Sequence, residues 1–300
     1  MREPGTYIDI DINQYHDDKE YLSSTGLKYA RKCLKTFYYA QQGYFDKENH
    51  KPFDFGNAME LALCNAKEFE EGVAIVPDDL FHDKVMEANP DVKSFRSTKL
   101  YKELYSTWKE DNRGKYIIGE HGKESWDVIY EVLKSCKQDA VISRLIQNTE
   151  YQYSLYWKDE ETGLNLRTRP DICKVNHNVI VDIKTAIDGH PNKFSKQAAN
   201  LDYLFQAAMQ IDGVIKSGLM PQVDNYYYLV LEKNVPYSAT LYRVDEEDLQ
   251  IAQFMYRSTL KKVAEAKETN MYPSYSDFAM QGSYGIVDLE MPSWWRNQRY

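Results

Sequence analysis

The chain has 300 residues, of which 37 are basic and 46 acidic, so its formal net charge is −9. This length can hold one large domain or two small ones, and the negative charge excludes a general affinity for nucleic acid or anionic membranes. Any polyanionic partner therefore needs a local basic surface. The sequence has no apolar run of about 18 residues and begins without the apolar core of a signal peptide, which predicts an intracellular protein with no membrane partner.

The four cysteines, at positions 33, 64, 136 and 173, include no C-x-x-C pair. This argues against a zinc ribbon and a disulfide framework. We expect buried free thiols, with an iron–sulfur site built from distant cysteines as the alternative. The chain has no internal repeat and no long Gly-, Ser- or Pro-rich linker, so a single domain over residues 1–300 is the simplest organisation.

The first half of the chain is predicted to be mainly helical. Residues 24–42 form a candidate helix with Ser23 or Ser24 as N-cap and Gly43 just past its end. The segment FDFGNAMELALCNA predicts a second, apolar helix. Helical patterns continue to about residue 148, with a short strand at Tyr116–Ile118.

The pattern then changes to runs of β-branched and aromatic residues separated by turns. Four strands are predicted, in YQYSLYWKD, LNLRTRPDI, VIVDIKTA and NYYYLVLEK. A helix at about 193–217 falls between the last two, and DEEDLQIAQFMYRSTLKKVAEAKE forms a long amphipathic helix afterwards. The predicted fold class is α/β, with a central mixed sheet flanked by helices. Its parts are a helical region 1–148, a sheet core 149–244 and a C-terminal helix and tail 245–300.

Charged residues interrupt two of these strands. Asp182 and Lys184 project from one face of their strand, and the short turn CKVNHN brings Asp171 towards Asp182. Two carboxylates about 4 Å apart repel by roughly 4 kcal/mol at an effective dielectric of 20, and a hard divalent cation such as Mg²⁺ removes that cost. With a lysine alongside, the arrangement suits metal-assisted phosphodiester hydrolysis. The alternative is an exposed hairpin with a surface salt bridge.

The segments YWKDEETGLNLRTRPDI, VIVDIKTAID and FSKQAANLDYLFQAAMQIDGV resemble the PD-(D/E)XK nuclease superfamily. Within it they are similar to the exodeoxyribonuclease VIII (RecE-like) family, which is related to phage lambda exonuclease. The resemblance extends to LSSTGLKYARKCLKTFYYA, FGNAMEL and the tail YPSYSDF to LEMPSWW, and so covers nearly the whole chain. It implies Mg²⁺-dependent digestion of duplex DNA from its ends, 5′ to 3′, in phage-type recombination in the cytoplasm of a bacterial host cell. It also implies a ring-shaped homo-oligomer threaded by DNA and a single-strand annealing protein as partner.

The resemblance also assigns roles to individual residues. It implies that Asp171 and Asp182 bind the metal, with the main-chain carbonyl of Ile183 as a further ligand. Lys184 corresponds to the catalytic lysine, and Gln206 to a glutamine that orders the lysine or the substrate. Mn²⁺ is expected to substitute for Mg²⁺ at such oxygen ligands.

Three positions depart from the family pattern. Glu60 stands where a histidine is usual, Gln152 where a glutamate is expected, and Gln210 where a tyrosine is expected. A carboxylate is lost at position 152 and one is gained at position 60, so the number of acids is unchanged. We therefore hypothesise that Glu60 replaces both the usual histidine and the expected glutamate as an oxygen ligand. The alternative is that Glu60 is an ordinary charged residue at the edge of an apolar helix.

Basic residues form two groups that could hold phosphates. One group lies on or near one face of the first helix and comprises Lys28, Arg31, Lys32 and Lys35. The other is Arg167 and Arg169, which alternate along the strand that leads to Asp171. A solvated helix face is the alternative for the first group. The 25 tyrosines offer stacking faces for unpaired bases, although core packing is expected for most of them.

Three functional hypotheses follow. The first is an end-dependent DNA exonuclease. The second is a PD-(D/E)XK endonuclease of structure-specific or restriction type, which would cut closed circular DNA. The third is a DNA-end-binding protein that has lost catalysis because the residues around Asp171, Asp182 and Lys184 depart from the family pattern. Such a protein would release no nucleotides from linear duplex.

Overall fold

The computed structural model describes residues 2–8, 10–45, 51–147, 152–278 and 284–297, with only the backbone for 51–53, 277 and 278. The strands in these ranges are β1 Gly5–Tyr7, β2 Val73–Ile75, β3 Tyr116–Ile118, β4 Ser154–Lys158, β5 Asn165–Thr168, β6 Ile172–Lys174, β7 Val179–Ala186, β8 Asn225–Glu232 and β9 Ala239–Arg243. The α-helices are α1 Ile12–Asp17, α2 Ser24–Lys32, α3 Leu34–Gln41, α4 Lys51–Cys64, α5 Ala66–Gly72, α6 Asp78–Ala88, α7 Lys99–Asp111, α8 Trp126–Gln138, α9 Ala140–Ile146, α10 Pro191–Asn200, α11 Tyr203–Lys216, α12 Glu246–Thr269 and α13 Ser293–Arg296. None of these helices is long and apolar enough to cross a membrane. The predicted boundary at residues 148 and 149 lies outside the described residues.

A four-stranded sheet has the order β6-β7-β8-β9, with β7 and β8 parallel and the two outer pairs antiparallel. Successive residues of β7 point to opposite faces. Val181 and Ile183 pack with α4 and α8, whereas Ile180 and Ala186 pack with α10 and α11. The predicted α/β class, with a mixed sheet flanked by helices, is confirmed.

Helix α11 also packs against a second, antiparallel sheet of order β1-β4-β5. Its Ile211 belongs to the core on the four-stranded sheet, whereas Met209 packs in a separate core with Trp157 of β4. A Cβ on Gly213 would lie 2.5 Å from Thr168 Cγ2 and 3.0 Å from Trp157. Only glycine permits this close approach of α11 to β4 and β5.

Two predicted helices are each divided in the structure. The helix predicted over residues 24–42 is α2 and α3, because Cys33 is extended, with φ −172° and ψ 154°. Ser23 caps α2, and the Cys33 sulfur accepts from the Thr36 N–H at the start of α3. The helix predicted over about 193–217 is α10 and α11, separated at Asp202, whose φ is +53°. Both predictions of a continuous helix were wrong.

The predicted strand LNLRTRPDI is divided as well, into β5 and β6 of different sheets. Pro170 lies between them and has no N–H to donate to a strand partner, which favours a break in pairing at this point. The predicted strand Tyr116–Ile118 is confirmed as β3, which pairs in parallel with β2. The four cysteines are unpaired, and three of them are buried: Cys33, Cys136 and Cys173.

Candidate active site

The two predicted aspartates meet at the start of β6. Ile172 pairs with Val181 across the antiparallel strands, and extending this register by one residue places Asp171 opposite Asp182. Asp171 Oδ2 accepts a hydrogen bond from the Ile183 N–H at 2.6 Å. Because the N–H and C=O of a strand residue point to the same side, the Ile183 carbonyl also points to this edge. The structure therefore brings Asp171, Asp182 and the Ile183 main chain together.

Asp182 is fully buried, and its two oxygens have different partners. Oδ1 accepts from the amide nitrogens of Gln206 at 3.1 Å and Gln210 at 3.2 Å, both on α11. Oδ2 forms an ion pair with Lys184 Nζ but accepts no hydrogen bond of normal geometry from any described residue. The hydroxyl of Tyr226 on β8 donates to Gln210 Oε1 at 2.5 Å. Asp182 is thus held by three side chains, and one of those is oriented by a fourth.

Lys184 lies on the same face of β7 as Asp182. Its ammonium is 4.9 Å from the ring centroid of Tyr203, the first residue of α11. Burial lowers the pKa of Lys184, but the Asp182 and Asp171 carboxylates more than offset this effect and raise it above its usual value. The lysine therefore forms an ion pair with the fully buried Asp182, while its own side chain is 15% exposed.

Glu60 on α4 approaches the aspartates together with Gln152. Gln152 Nε2 donates to Glu60 Oε1 at 2.6 Å. Gln152 has a φ of +57°, and its main chain is fixed at both ends, since its N–H donates to the Asp171 carbonyl and its carbonyl accepts from Arg169 Nε. The departures at positions 60 and 152 are therefore in direct contact.

The carboxyl groups of Asp171 and Glu60 both have a raised pKa. Burial, Glu60 and Asp182 raise the pKa of Asp171 well above its usual range. Burial raises the pKa of Glu60 in spite of the Gln152 hydrogen bond, and the Asp182 charge adds to the shift. Crowded acidic oxygens next to a main-chain carbonyl are the donor set that hard divalent cations prefer, so these residues fit such an ion. In the part of the chain that is described, however, the three carboxylates do not all come within 4.8 Å of one another.

One set of potential ligands does reach that spacing in the described residues: Asp79, Glu120 and His121. His121 makes ion pairs with Asp79 at 3.2 Å and Asp127 at 2.8 Å. All these groups are partly or fully exposed, and none belongs to the predicted site. We interpret the set as a surface ion-pair cluster.

Lys28 of α2 borders the site. Its ammonium donates to the Leu201 carbonyl at 2.8 Å and lies 5.8 Å from the ring centroid of Tyr203, the ring that Lys184 also contacts. Burial, together with the charge of Lys184, lowers the pKa of Lys28 to about 8. The charged groups that act on Lys28 are two cations and two carboxylates: Lys184, Arg31, Asp202 and Asp182.

The other predicted basic residues of this region differ in exposure. Arg31 pairs with Asp202 at 3.1 Å and lies 5.4 Å from the ring centroid of Phe205. Lys32 ends α2 and is exposed, as is Lys35. Because the helix is broken at Cys33, Lys35 lies on α3 and the four residues do not share one helix face.

The prediction for Arg167 and Arg169 requires correction. Arg167 is 6% exposed, donates to the His16 carbonyl at 3.1 Å and lies 4.6 Å from the ring centroid of Tyr15. Arg169 donates to the carbonyls of Gln152 at 3.2 Å and Ile10 at 3.0 Å. The N-terminal segment covers this strand, so the Arg167 guanidinium is buried in the packing, and that of the half-buried Arg169 is held by two main-chain carbonyls.

Sequence reasoning did not assign a role to Gln210, Tyr226 or Tyr203. Gln210 could have been found, because it lies four residues after Gln206 and so shares its helix face. Tyr226 gives no local signal, since it reaches Gln210 through the parallel pairing of β7 and β8. Tyr203 follows a helix break at Asp202 that the sequence pattern does not indicate.

Comparison with known proteins bears on the family and the fold. The profile of the PDDEXK-like domain of unknown function (DUF3799) matches residues 23–280. A proposed exonuclease from Eubacterium rectale, known from a crystal structure, has a TM-score of 0.57 at 14% identity over 95% of this chain and 96% of that one. A phage-related exonuclease from Haemophilus somnus 129PT has 12% identity over 58% of this chain and 85% of its own, but its TM-score of 0.31 is too low to bear on the fold. No curated protein sequence matches.

The likeness to the Eubacterium rectale structure shows a shared fold, and the predicted PD-(D/E)XK core is confirmed. Family and fold together support a nuclease, of a class that generally uses divalent metal ions. The profile spans every residue of the site described above, from Lys28 to Tyr226. The chain therefore belongs to the PDDEXK-like domain family.

Proposed function

We propose that the protein is a divalent-cation-dependent deoxyribonuclease that digests linear double-stranded DNA from its ends, 5′ to 3′, in phage-type recombination. The observation that carries the proposal is the buried Asp182–Lys184 pair, with Asp171 bonded to the Ile183 N–H beside it. A buried charge cluster of this kind is costly to keep in a merely structural role, because each desolvated ion costs several kcal/mol unless it is well paired. The family match adds weight to the assignment.

Each group of the site is given one role. Asp171, Asp182 and the Ile183 carbonyl would hold Mg²⁺ or Mn²⁺, which when bound supplies a Lewis acid and a more acidic water for attack on phosphorus. Lys184 positions that water and stabilises the negative charge that develops on the phosphate. Gln206 and Gln210 hold Asp182 Oδ1, so that the carboxylate keeps one orientation during the reaction.

The DNA contacts are assigned to cations close to this edge. Lys28 adjoins the site through Tyr203, and Lys32 and Lys35 extend the positive charge along α2 and α3. Such contacts bind phosphates without reading sequence. The net charge of −9 gives one subunit little further attraction for DNA, which favours enclosure in a ring-shaped homo-oligomer as the means of retention.

The test compares linear duplex DNA with closed circular DNA of the same sequence, in Mg²⁺ and in EDTA. Release of nucleotides from the linear form alone, and only with the metal, is the expected result. Blocking one 5′ end or one 3′ end then gives the polarity. Cutting of the circle would indicate an endonuclease, and DNA binding without any digestion would indicate an end-binding protein.

Oligomeric state and partner need separate experiments. Light scattering at working concentration is expected to give the mass of an oligomer and not that of one chain. A monomer that still digests kilobase duplexes without dissociating would contradict the ring. The annealing partner is tested by co-purification with a single-strand annealing protein from the same genome.

A further inference from the structure

Helices α2 and α3 carry a concentration of positive charge that is unusual for this chain. Residues 24–44 contain Lys28, Arg31, Lys32 and Lys35 and no Asp or Glu, although the whole chain has a net charge of −9. Lys32 and Lys35 are exposed. A polyanion is therefore attracted to this region more strongly than to the chain as a whole.

The same two helices present a series of aromatic rings. Tyr29 stacks on Phe45 with centroids 5.3 Å apart and an interplanar angle of 19°. Tyr44, the neighbour of Phe45, contacts Tyr39 at 5.2 Å, and Tyr39 contacts Tyr38 at 5.6 Å. Tyr38 in turn lies 4.9 Å from Tyr272, which follows α12. We call this set the aromatic row: Tyr29, Phe45, Tyr44, Tyr39, Tyr38 and Tyr272.

Much of the aromatic row is open to solvent. Tyr44 is 72% exposed, Phe45 46%, and Tyr38 and Tyr39 39% each. Exposed aromatic surface that is contiguous, and not scattered singly, marks a binding site. The rings therefore do more than pack against the core.

One end of the aromatic row forms a cleft between α3 and the chain after α12. The cleft has a volume of about 240 Å³, and its lining residues are Lys35, Tyr38, Tyr39, Asn270 and Tyr272. The Lys35 N–H donates to the Pro273 carbonyl at 3.0 Å, which holds the two walls together. Its walls offer aromatic faces, a side-chain amide and an ammonium, which are groups that contact a base and a phosphate.

The other end of the aromatic row lies close to the candidate active site. Tyr29 follows Lys28 in α2, and Lys28 and Lys184 contact the same Tyr203 ring. Helix α2 thus carries both Lys28, which borders the site, and Tyr29, which belongs to the aromatic row.

We propose that the aromatic row binds an unpaired DNA strand, with bases stacked on its rings and phosphates on Lys32 and Lys35. This inference rests on the proposed function, because DNA at the active site supplies the strand. Alternating cations and ring faces are the means by which proteins hold single strands without sequence preference. A protein partner fits less well, since the charge is of one sign and complements a polyanion.

The test measures binding of a fluorescent 20-nucleotide oligothymidylate by anisotropy in EDTA, where no hydrolysis occurs. Tyr44→Ala should weaken binding by between about 5-fold and about 150-fold, the range for loss of one stacked base. Tyr44→Phe, which keeps the ring, should bind as the wild type does. Lys35→Gln should reduce the slope of log affinity against log salt by about 0.7, the value for one phosphate contact on a single strand.

Tyr130→Ala is the matched control, because Tyr130 is 57% exposed on α8 and lies outside the aromatic row. Its affinity should equal that of the wild type. Circular dichroism of each variant checks the fold. Because Tyr44 is mostly exposed, its replacement is expected to leave the fold intact, and Lys35→Gln gives an independent reading.

Equal binding by Tyr44→Ala and the wild type, or no binding by the wild type, overturns the proposal. A change of oligomer size in Tyr44→Ala with unchanged DNA affinity also overturns it, and assigns the aromatic row to contact between copies. Digestion of linear duplex is measured separately on the same variants. A wild type that digests linear duplex but binds no single strand refutes the aromatic-row proposal alone, whereas strand binding by a wild type that digests nothing refutes the proposed function alone.

Discussion

Tyr226→Phe removes one hydroxyl that does not touch the proposed metal ligands and is nevertheless expected to change the metal dependence of the enzyme. The hydroxyl donates to Gln210 Oε1 at 2.5 Å, and both side chains are buried. An amide has two orientations that differ by a half-turn. In its ion pair with Lys184 the Asp182 carboxylate only accepts, so Gln210 Nε2 faces Asp182 Oδ1, and the Tyr226 hydroxyl holds the amide in place by donating to the oxygen on the other side.

The expected effect has two parts, a loss of stability and a loss of metal affinity. A buried amide oxygen left without its donor costs about 1–3 kcal/mol, which lowers the melting temperature by on the order of 2–6 °C. Partners that orient a metal ligand are typically worth about 10- to 100-fold in metal affinity. We therefore expect the Mg²⁺ concentration for half-maximal digestion to rise about tenfold, with the rate largely restored at saturating Mg²⁺.

The assay is a Mg²⁺ titration of digestion, accompanied by calorimetric titration of Mn²⁺ binding without DNA. Tyr228→Phe is the control, because Tyr228 lies two residues along the same strand and is equally buried, and among the described residues its hydroxyl makes no hydrogen bond of normal geometry. A purely structural role for Tyr226 would lower the melting temperature alone. If Tyr226→Phe and Tyr228→Phe show the same metal dependence, the hydroxyl does not orient Asp182 through Gln210.

Three further predictions concern the site itself. Asp182→Ala and Lys184→Ala should each abolish Mg²⁺-dependent digestion, which a nuclease assay measures. Each should also cost about 3–5 kcal/mol of stability by chemical denaturation, because one ion of the pair is left without its partner. Undiminished cleavage by either variant would contradict the site. Glu60→Gln should raise the Mg²⁺ requirement if the carboxylate is a ligand, and an unchanged requirement and rate would show that it is not. Digestion should decline as the pH rises through about 8, where Lys28 loses its charge. Lys28→Arg, which keeps its charge, should remove that decline. Equal pH profiles for the wild type and Lys28→Arg would exclude Lys28 as the group responsible.

The centre of the site could be predicted because it depends on local rules. Alternation along β7 places Asp182 and Lys184 on one face, and a short connection fixes the antiparallel register that brings Asp171 opposite Asp182. The glutamine on α11 could be assigned by resemblance, and the structure places Gln206 on Asp182 Oδ1. These residues lie within a short stretch of chain, so few long-range contacts decide their positions.

The surroundings of the site could not be predicted, because distant segments determine them. Arg167 and Arg169 follow the alternation of an open strand, yet Tyr15 of α1 covers them from more than 150 positions earlier in the chain. The breaks at Cys33 and Asp202 lie in sequences without Pro or Gly, so no local signal indicates them. Where a charged side chain lies on a predicted strand, its exposure depends on what packs over it and cannot be read from periodicity.

If position 60 usually holds a histidine and position 152 a glutamate, as the resemblance implies, the contact between Glu60 and Gln152 accounts for both exchanges occurring together. Their side chains approach to 2.6 Å, a distance at which two carboxylates cannot both ionise. A glutamate at position 152 beside Glu60 would have to keep its proton, or would force Glu60 to keep one. An amide at position 152 instead donates to the carboxylate and favours its charged form, which opposes the increase in pKa that burial causes. Once position 60 carries an acid, glutamine at position 152 is the side chain of glutamate's size that can donate a hydrogen bond to that acid.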